Sequence, residues 1–300
     1  MALSLSGVLP PVVTPFAGEE LDFAAFRANI ERWNTTGLSG YLVLGSNGES
    51  VFLDEGEKLE LVAAAREAAT PAHIIMAGTG CESTRATLKL TRATADAGAD
   101  CALVITPAYY QGQMSPARLE AHYAAVADGS PIPVLLYNVP KFTGLNLTPA
   151  TVARLAEHPN IVGIKDSSGN VGQLLDIRRR VPDDFALFVG AAGAFFPGLC
   201  VGANGAILAV ANVLPEVCVR LFENYRAGDR ERALQLQEAL LGITPLVTTV
   251  HGIGGLKVAM ARRGYRPGEV RSPLAMPEPD ACGEIDAELM RLQQACELGH

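Results

Sequence analysis

The sequence predicts a (β/α)8 TIM barrel with a C-terminal helical extension. Three observations carry that reading: eight short apolar runs, segments of helical period between them, and a strand-to-strand spacing of about 20 to 33 residues. In order, the runs are GVLPPVVTPF from Gly7, GYLVLGS from Gly40, HIIMAG from His73 and CALVITP from Cys101, then PVLLYNVP from Pro133, IVGIKDSS from Ile161, FALFVGA from Phe185 and GAILAVAN from Gly205. None alternates apolar with polar, as expected of strands buried on both faces. The clearest helices between them are FAAFRANIERW, EGEKLELVAAAREAA, STRATLKLTRATADAG, SPARLEAHYAAVAD and TPATVARLAEH. Ser83, Ser115 and Thr148 are expected N-caps, and a proline follows directly in SPARL and TPATV.

The period stops after Asn212, and the rest reads as helix: PEVCVRLFENYRAG, DRERALQLQEALLGI, GGLKVAMARRG and DAELMRLQQACEL. Residues 1–225 are therefore assigned to the barrel and 226–300 to the extension, which is expected to lie outside the active site. A doubly wound open sheet is the alternative. It needs a Gly-rich phosphate turn directly after the first strand, and GVLPPVVTPFAGEE has none.

Composition narrows the function. Of 300 residues, 49% are hydrophobic and 19% charged, which suits a large core and excludes a disordered chain. A net charge of −8, with Arg178 to Arg180 the one short basic run, argues against nucleic acid. No apolar run reaches the length of a membrane span, and the N-terminus does not read as a signal peptide. The six cysteines, at 81, 101, 200, 218, 282 and 296, form no CxxC pair and read as buried small hydrophobes in a reducing, cytoplasmic compartment.

Barrel chemistry sits at the C-terminal ends of the strands. Of the five lysines, Lys165 alone ends a buried apolar strand, IVGIK. Desolvation there favours a free amine, which attack on a carbonyl needs; an ion pair with Asp166 is the competing reading. Tyr137 ends the preceding strand, 28 residues earlier, so its phenol is expected in the same barrel mouth. A tyrosine hydroxyl there can move the protons of imine formation and of carbon–carbon cleavage. The loop Gly45-Ser46-Asn47-Gly48-Glu49 offers backbone N–H groups to a small anion, although a plain βα turn reads the same way. The five histidines are scattered, without metal-ligand spacing, and neither a phosphate-binding loop nor a nucleophile elbow is present. No metal and no cofactor is expected.

GSNGE, YNVP…TG, VGIKDSS and GAILAVAN, in this order and spacing, resemble the dihydrodipicolinate synthase / N-acetylneuraminate lyase family over nearly the whole chain. The resemblance implies a class I, pyruvate-handling aldolase barrel. Lys165 then forms the Schiff base with pyruvate, Tyr137 donates and accepts the proton, and Ser46 belongs to a proton relay. It further implies that the Asn47 amide holds the pyruvate carboxylate, that Tyr109 reaches into a neighbouring subunit's site, and that Gly190 and Ile207 line the pyruvate pocket.

Two departures bear on the substrate. Dihydrodipicolinate synthases of the family carry Thr-Thr where this chain has Ser46-Asn47, and an arginine where it has Phe142. Losing that arginine removes a bidentate carboxylate clamp. GSNGE, GCEST from Gly80 to Thr84, YYQGQMS and HPNIVGIKDSSG instead resemble 4-hydroxy-2-oxoglutarate aldolases. The expected activity is cleavage of a 4-hydroxy-2-oxo acid, first 4-hydroxy-2-oxoglutarate, to pyruvate and glyoxylate, with Ser46, Asn47, Ser167 and Ser168 as candidates for the distal carboxylate. The alternatives are dihydrodipicolinate synthase, an aldolase or dehydratase of 2-oxo-3-deoxy sugar acids, and a non-catalytic barrel that senses a 2-oxo acid. Tyr109 and Tyr110, large apolar side chains on a loop, predict at least a dimer and, with the family, a homotetramer built as a dimer of dimers.

Overall fold

The computed structural model describes residues 5–296. Its eight parallel strands are β1 Gly7–Leu9, β2 Gly40–Val43, β3 Ile74–Gly78, β4 Cys101–Ile105, β5 Val134–Asn138, β6 Ile161–Asp166, β7 Ala186–Val189 and β8 Gly205–Ile207. They follow chain order around the sheet, and β8 returns to pair with β1 through Gly7–Gly205 to Leu9–Ile207. The remaining gap closes through a short parallel bridge, with Val12 N donating to Leu42 O at 2.9 Å and Leu42 N to Pro10 O at 3.0 Å. The prolines of the first run explain why β1 is so short: Pro10 and Pro11 have no N–H to give a ladder. Beyond it the chain forms a two-stranded ribbon, Phe16–Ala17 against Glu20–Leu21.

Alternate residues of each strand bury opposite faces, and both faces are dry. Leu9, Leu42, Met76, Leu103, Leu135, Phe188 and Ile207 form one cluster inside the barrel. Val8, Val43, Ile75, Val104, Leu136, Ile164 and Leu187 belong to a second cluster between strands and helices. This double burial is why the strands read as continuous apolar runs.

The surrounding helices are α1 Phe23–Trp33, α2 Glu55–Ala68, α3 Thr84–Asp96, α4 Pro116–Gly129, α5 Pro149–Leu155, α6 Val171–Arg178, α7 Phe195–Cys200 and α8 Pro215–Ala227. Ser83, Ser115 and Thr148 cap α3, α4 and α5, each accepting a backbone N–H from three residues on. The chain continues as α9 Arg230–Pro245, a π-helical turn Leu246–Val250, α10 Gly252–Arg262 and α11 Pro279–Cys296. Gln237 of α9 ties this segment to the end of β7, donating to Ala192 O at 3.0 Å and accepting from Phe196 N at 2.9 Å.

The cysteine reading needs correction. Cys101 and Cys218 are buried, but Cys81 and Cys282 are only partly covered and Cys200 is exposed. Cys200 closes α7 on its outer side, where an apolar-looking run meets solvent. The Cys296 side chain lies outside the described residues. Among the described residues no helix is long and apolar enough to cross a membrane.

Candidate active site

The ends of β5 and β6 set the site. Tyr137 shares the inward face with Leu135, and the β5–β6 ladder pairs it directly with Lys165. Both are almost fully buried, at 6% and 4% exposure. Next along β6, Asp166 is on the opposite face. It accepts from Asn138 Nδ2 at 2.8 Å, Gln173 Nε2 at 2.7 Å, Ser168 N at 2.9 Å and Ser168 Oγ at 2.5 Å. The competing reading of Lys165 as an Asp166 partner therefore fails. Alternation sends the two side chains to opposite faces, and among the described residues Lys165 makes no ion pair. The Asn138–Asp166 hydrogen bond instead braces the two strands one residue beyond the Tyr137–Lys165 pair.

Gly190, at the end of β7, makes room for the lysine. A Cβ there would lie 1.9 Å from Ser167 Oγ and 3.1 Å from Lys165 Cε. On the other side, Ser46 Oγ stands 3.5 Å from the Tyr137 hydroxyl. The GSNGE loop and the residues after it form two short 3-10 turns, Ser46–Gly48 and Ser50–Phe52, before α2 begins at Glu55, where the sequence places its start. The N–H groups of Gly48 and Glu49 close onto Gly45 O and Ser46 O. Ser46 and Asn47 open the turn, the positions whose N–H groups have no partner within it.

Glu49, which ends the loop, holds a left-handed φ of 54° despite being non-glycine. Its fully buried carboxylate lies 2.7 Å from Lys257 Nζ, also fully buried, and accepts from Arg271 N at 2.9 Å. Lys257 further donates to Thr14 O at 2.7 Å and to Glu269 O. Burial pulls its pKa below the ordinary lysine value, with Glu49 opposing that shift. Sequence reasoning passed over this pair because Lys257 sits in a helix. The available signal was its setting, a lysine among Leu256, Ala259 and Met260.

A cavity of about 280 Å³ opens here, lined by Lys165, Tyr137, Ser46, Asn47, Ser167, Gly190 and Ile207. Tyr109 does not line the cavity of its own chain; its side chain is 79% exposed and its ring meets the Tyr110 ring edge-on at 5.0 Å. Two expectations change. Ser168 does not line the cavity, because its hydroxyl is spent on Asp166. The extension is not outside the site. Thr244, Thr248 and Thr249 line the cavity, since the turn after α9 carries the chain across the barrel mouth. Phe142 also lines it, on a single helical turn, Pro140–Thr143, with 62% of its surface exposed. Among the described residues no arginine reaches the cavity, and Lys165 and Lys141 are its charged side chains.

Fold and cavity together define a (β/α)8-barrel enzyme with a candidate site at the C-terminal strand ends, where a buried lysine faces a tyrosine. The family model for the dihydrodipicolinate synthetase family matches residues 4–291, and the chain belongs to that family. It is 36% identical over 271 residues to a 4-hydroxy-tetrahydrodipicolinate synthase from Exiguobacterium sp., covering 90% of this chain and 92% of the relative. It is 37% identical over 302 residues to a protein from Emericella nidulans named probable 4-hydroxy-2-oxoglutarate aldolase, mitochondrial, covering 97% of each. A prophage protein of the same family from E. coli K12, solved in complex with pyruvate, superposes with a TM-score of 0.91 at 31% identity, over 96% of this chain and 99% of that one.

Proposed function

We propose that the chain is a Schiff-base aldolase that cleaves 4-hydroxy-2-oxoglutarate to pyruvate and glyoxylate. The observation that carries it is the buried Lys165 opposite Tyr137, in a cavity that no described arginine enters. Lys165 Nζ attacks the C2 carbonyl, water leaves, and the resulting imine becomes the electron sink. Tyr137 takes the C4 hydroxyl proton, the C3–C4 bond breaks, and glyoxylate departs from an enamine of pyruvate. Reprotonation at C3 and hydrolysis then release pyruvate. Ser46, 3.5 Å from the Tyr137 hydroxyl, passes the proton onward. The Ser46 and Asn47 amides hold the substrate's first carboxylate, while Ser167, Gly190 and Ile207 shape the pocket around the imine.

The second reading, 4-hydroxy-tetrahydrodipicolinate synthase, is favoured by the name of the Exiguobacterium relative. Against it stands Phe142 in place of a carboxylate-gripping arginine. Comparing kcat/KM for 4-hydroxy-2-oxoglutarate, for aspartate semialdehyde with pyruvate, and for N-acetylneuraminate decides between them. Glyoxylate release should dominate; efficient condensation of aspartate semialdehyde would replace the first reading with the second. Borohydride with pyruvate should add one pyruvate unit to the Lys165 peptide, and no label, or a label on another lysine, would overturn the Schiff-base mechanism.

The proposal includes a homotetramer in which Tyr109 reaches a partner's site, supported by the exposed Val51, Tyr109 and Tyr110. It also includes a cytoplasmic location, supported by the five cysteines that are unpaired among the described residues.

A further inference from the structure

We infer that Lys141 binds the distal carboxylate of the substrate and so selects 2-oxo acids that end in a second negative charge. The inference rests on reading the cavity as a 2-oxo acid site with Lys165 as its imine lysine. A bound carboxylate needs donors, and the outer cavity is short of them. The Thr244 and Thr248 hydroxyls donate to Leu240 O at 2.7 Å and Thr244 O at 2.6 Å, and Thr249 donates to Pro245 O at 3.2 Å. With their protons committed, these oxygens face a ligand as acceptors. Ser167 lies deep, beside Gly190 and the Lys165 stem.

Lys141 is different. It lines the cavity and belongs to no ion pair among the described residues, and its one hydrogen bond is a long one to Thr248 O at 3.4 Å. An ammonium carries three donors, so at least two are free. Its backbone is held in place: Gly144 N closes the turn onto Pro140 O at 2.9 Å, and Gln111 Nε2 donates to Thr143 O at 2.8 Å. No carboxylate lines the cavity among the described residues to compete for the charge. A lysine presents a point charge, not the fork of an arginine, so it suits a flexible distal carboxylate.

The test uses competition against pyruvate trapping by borohydride, with 2-oxoglutarate and 2-oxopentanoate as probes that share five carbons and differ at the far end. The native enzyme should hold 2-oxoglutarate about tenfold tighter, the size expected for one charge-assisted hydrogen bond at a partly exposed site. Lys141→Met should abolish that preference and Lys141→Arg retain it. A native enzyme without the preference, or a Lys141→Met variant that keeps it, would overturn the inference. So would equal weakening of both acids, which marks Lys141 as only a strap to Thr248. Absence of any trapping in the native enzyme would instead overturn the 2-oxo acid reading itself, and this inference with it. Because the probes report binding without turnover, failure to cleave 4-hydroxy-2-oxoglutarate is read separately.

Discussion

Lys165 Nζ lies 4.5 Å from the centroid of the Tyr137 ring, and the two residues are register partners on β5 and β6. The amine therefore sits against the face of the ring. The phenol hydroxyl is left to meet Ser46 and a substrate, and Tyr137→Phe keeps the ring that packs against the lysine. We expect that variant to remain folded and to lose about 10²–10⁴-fold in kcat, the range for one acid–base group. Steady-state kinetics beside an unchanged far-ultraviolet spectrum checks this. Near-native kcat would mean that another group carries the proton.

Gly190→Ala tests the room around the lysine. The added methyl would stand 1.9 Å from Ser167 Oγ and 3.1 Å from Lys165 Cε, so one of them must shift. A displacement of about 1 Å at a reacting atom can cost about 10²-fold. Borohydride trapping with pyruvate should slow by that order while the melting temperature changes little. Unimpaired trapping would show that Ser167 turns aside without disturbing Lys165.

The barrel was legible because burial on both faces writes each strand as an unbroken apolar run. Lys165 and Tyr137 were legible because they end two such runs. Less of the surrounding site could be read. Glu49 and Lys257 meet through tertiary packing, which no local period records. Thr244, Thr248 and Thr249 reach the cavity because a π-helical turn redirects the chain, and the sequence there looks simply helical. Tyr109 does not line the cavity of its own chain, so nothing within one copy tests the role the resemblance implies for it.

Lys257→Met should be costly. It leaves the Glu49 carboxylate buried without its countercharge, and breaking a buried pair costs about 3–5 kcal/mol. The damage should also reach the loop that Glu49 ends, raising KM for the 2-oxo acid through Ser46 and Asn47. Denaturant unfolding read beside KM checks both effects. A variant as stable as the native protein would mean that water or a rearranged Arg271 replaces the lysine.

Assembly has its own test. Tyr109 and Tyr110 are 79% and 68% exposed, yet their rings meet edge-on at 5.0 Å and their loop is pinned. Glu82 Oε2 accepts from Ala108 N at 2.9 Å and Tyr109 N at 2.8 Å. Such a rigid aromatic pair suits an interface. Light scattering should give a tetramer, and Tyr109→Ala should lower activity while it weakens that assembly. A fully active monomer would contradict the prediction.

The substrate turns on Phe142. Its side chain lines the cavity while 62% exposed, so an arginine can replace it without displacing core. Gaining a charge-assisted hydrogen bond is worth about 1.5–3 kcal/mol, or roughly 10- to 150-fold in kcat/KM. Phe142→Arg should therefore raise condensation of aspartate semialdehyde with pyruvate by up to that factor. Glyoxylate release from 4-hydroxy-2-oxoglutarate should not improve, because on the reading above Lys141 already meets the distal carboxylate of that acid. Measuring both reactions on the native and variant enzymes decides the matter. If the native enzyme condenses aspartate semialdehyde as readily as the variant, position 142 does not discriminate, and the synthase reading displaces the aldolase. If the variant gains on both substrates alike, the arginine acts as a general anion attractor, and the choice between the two acids must lie elsewhere in the cavity.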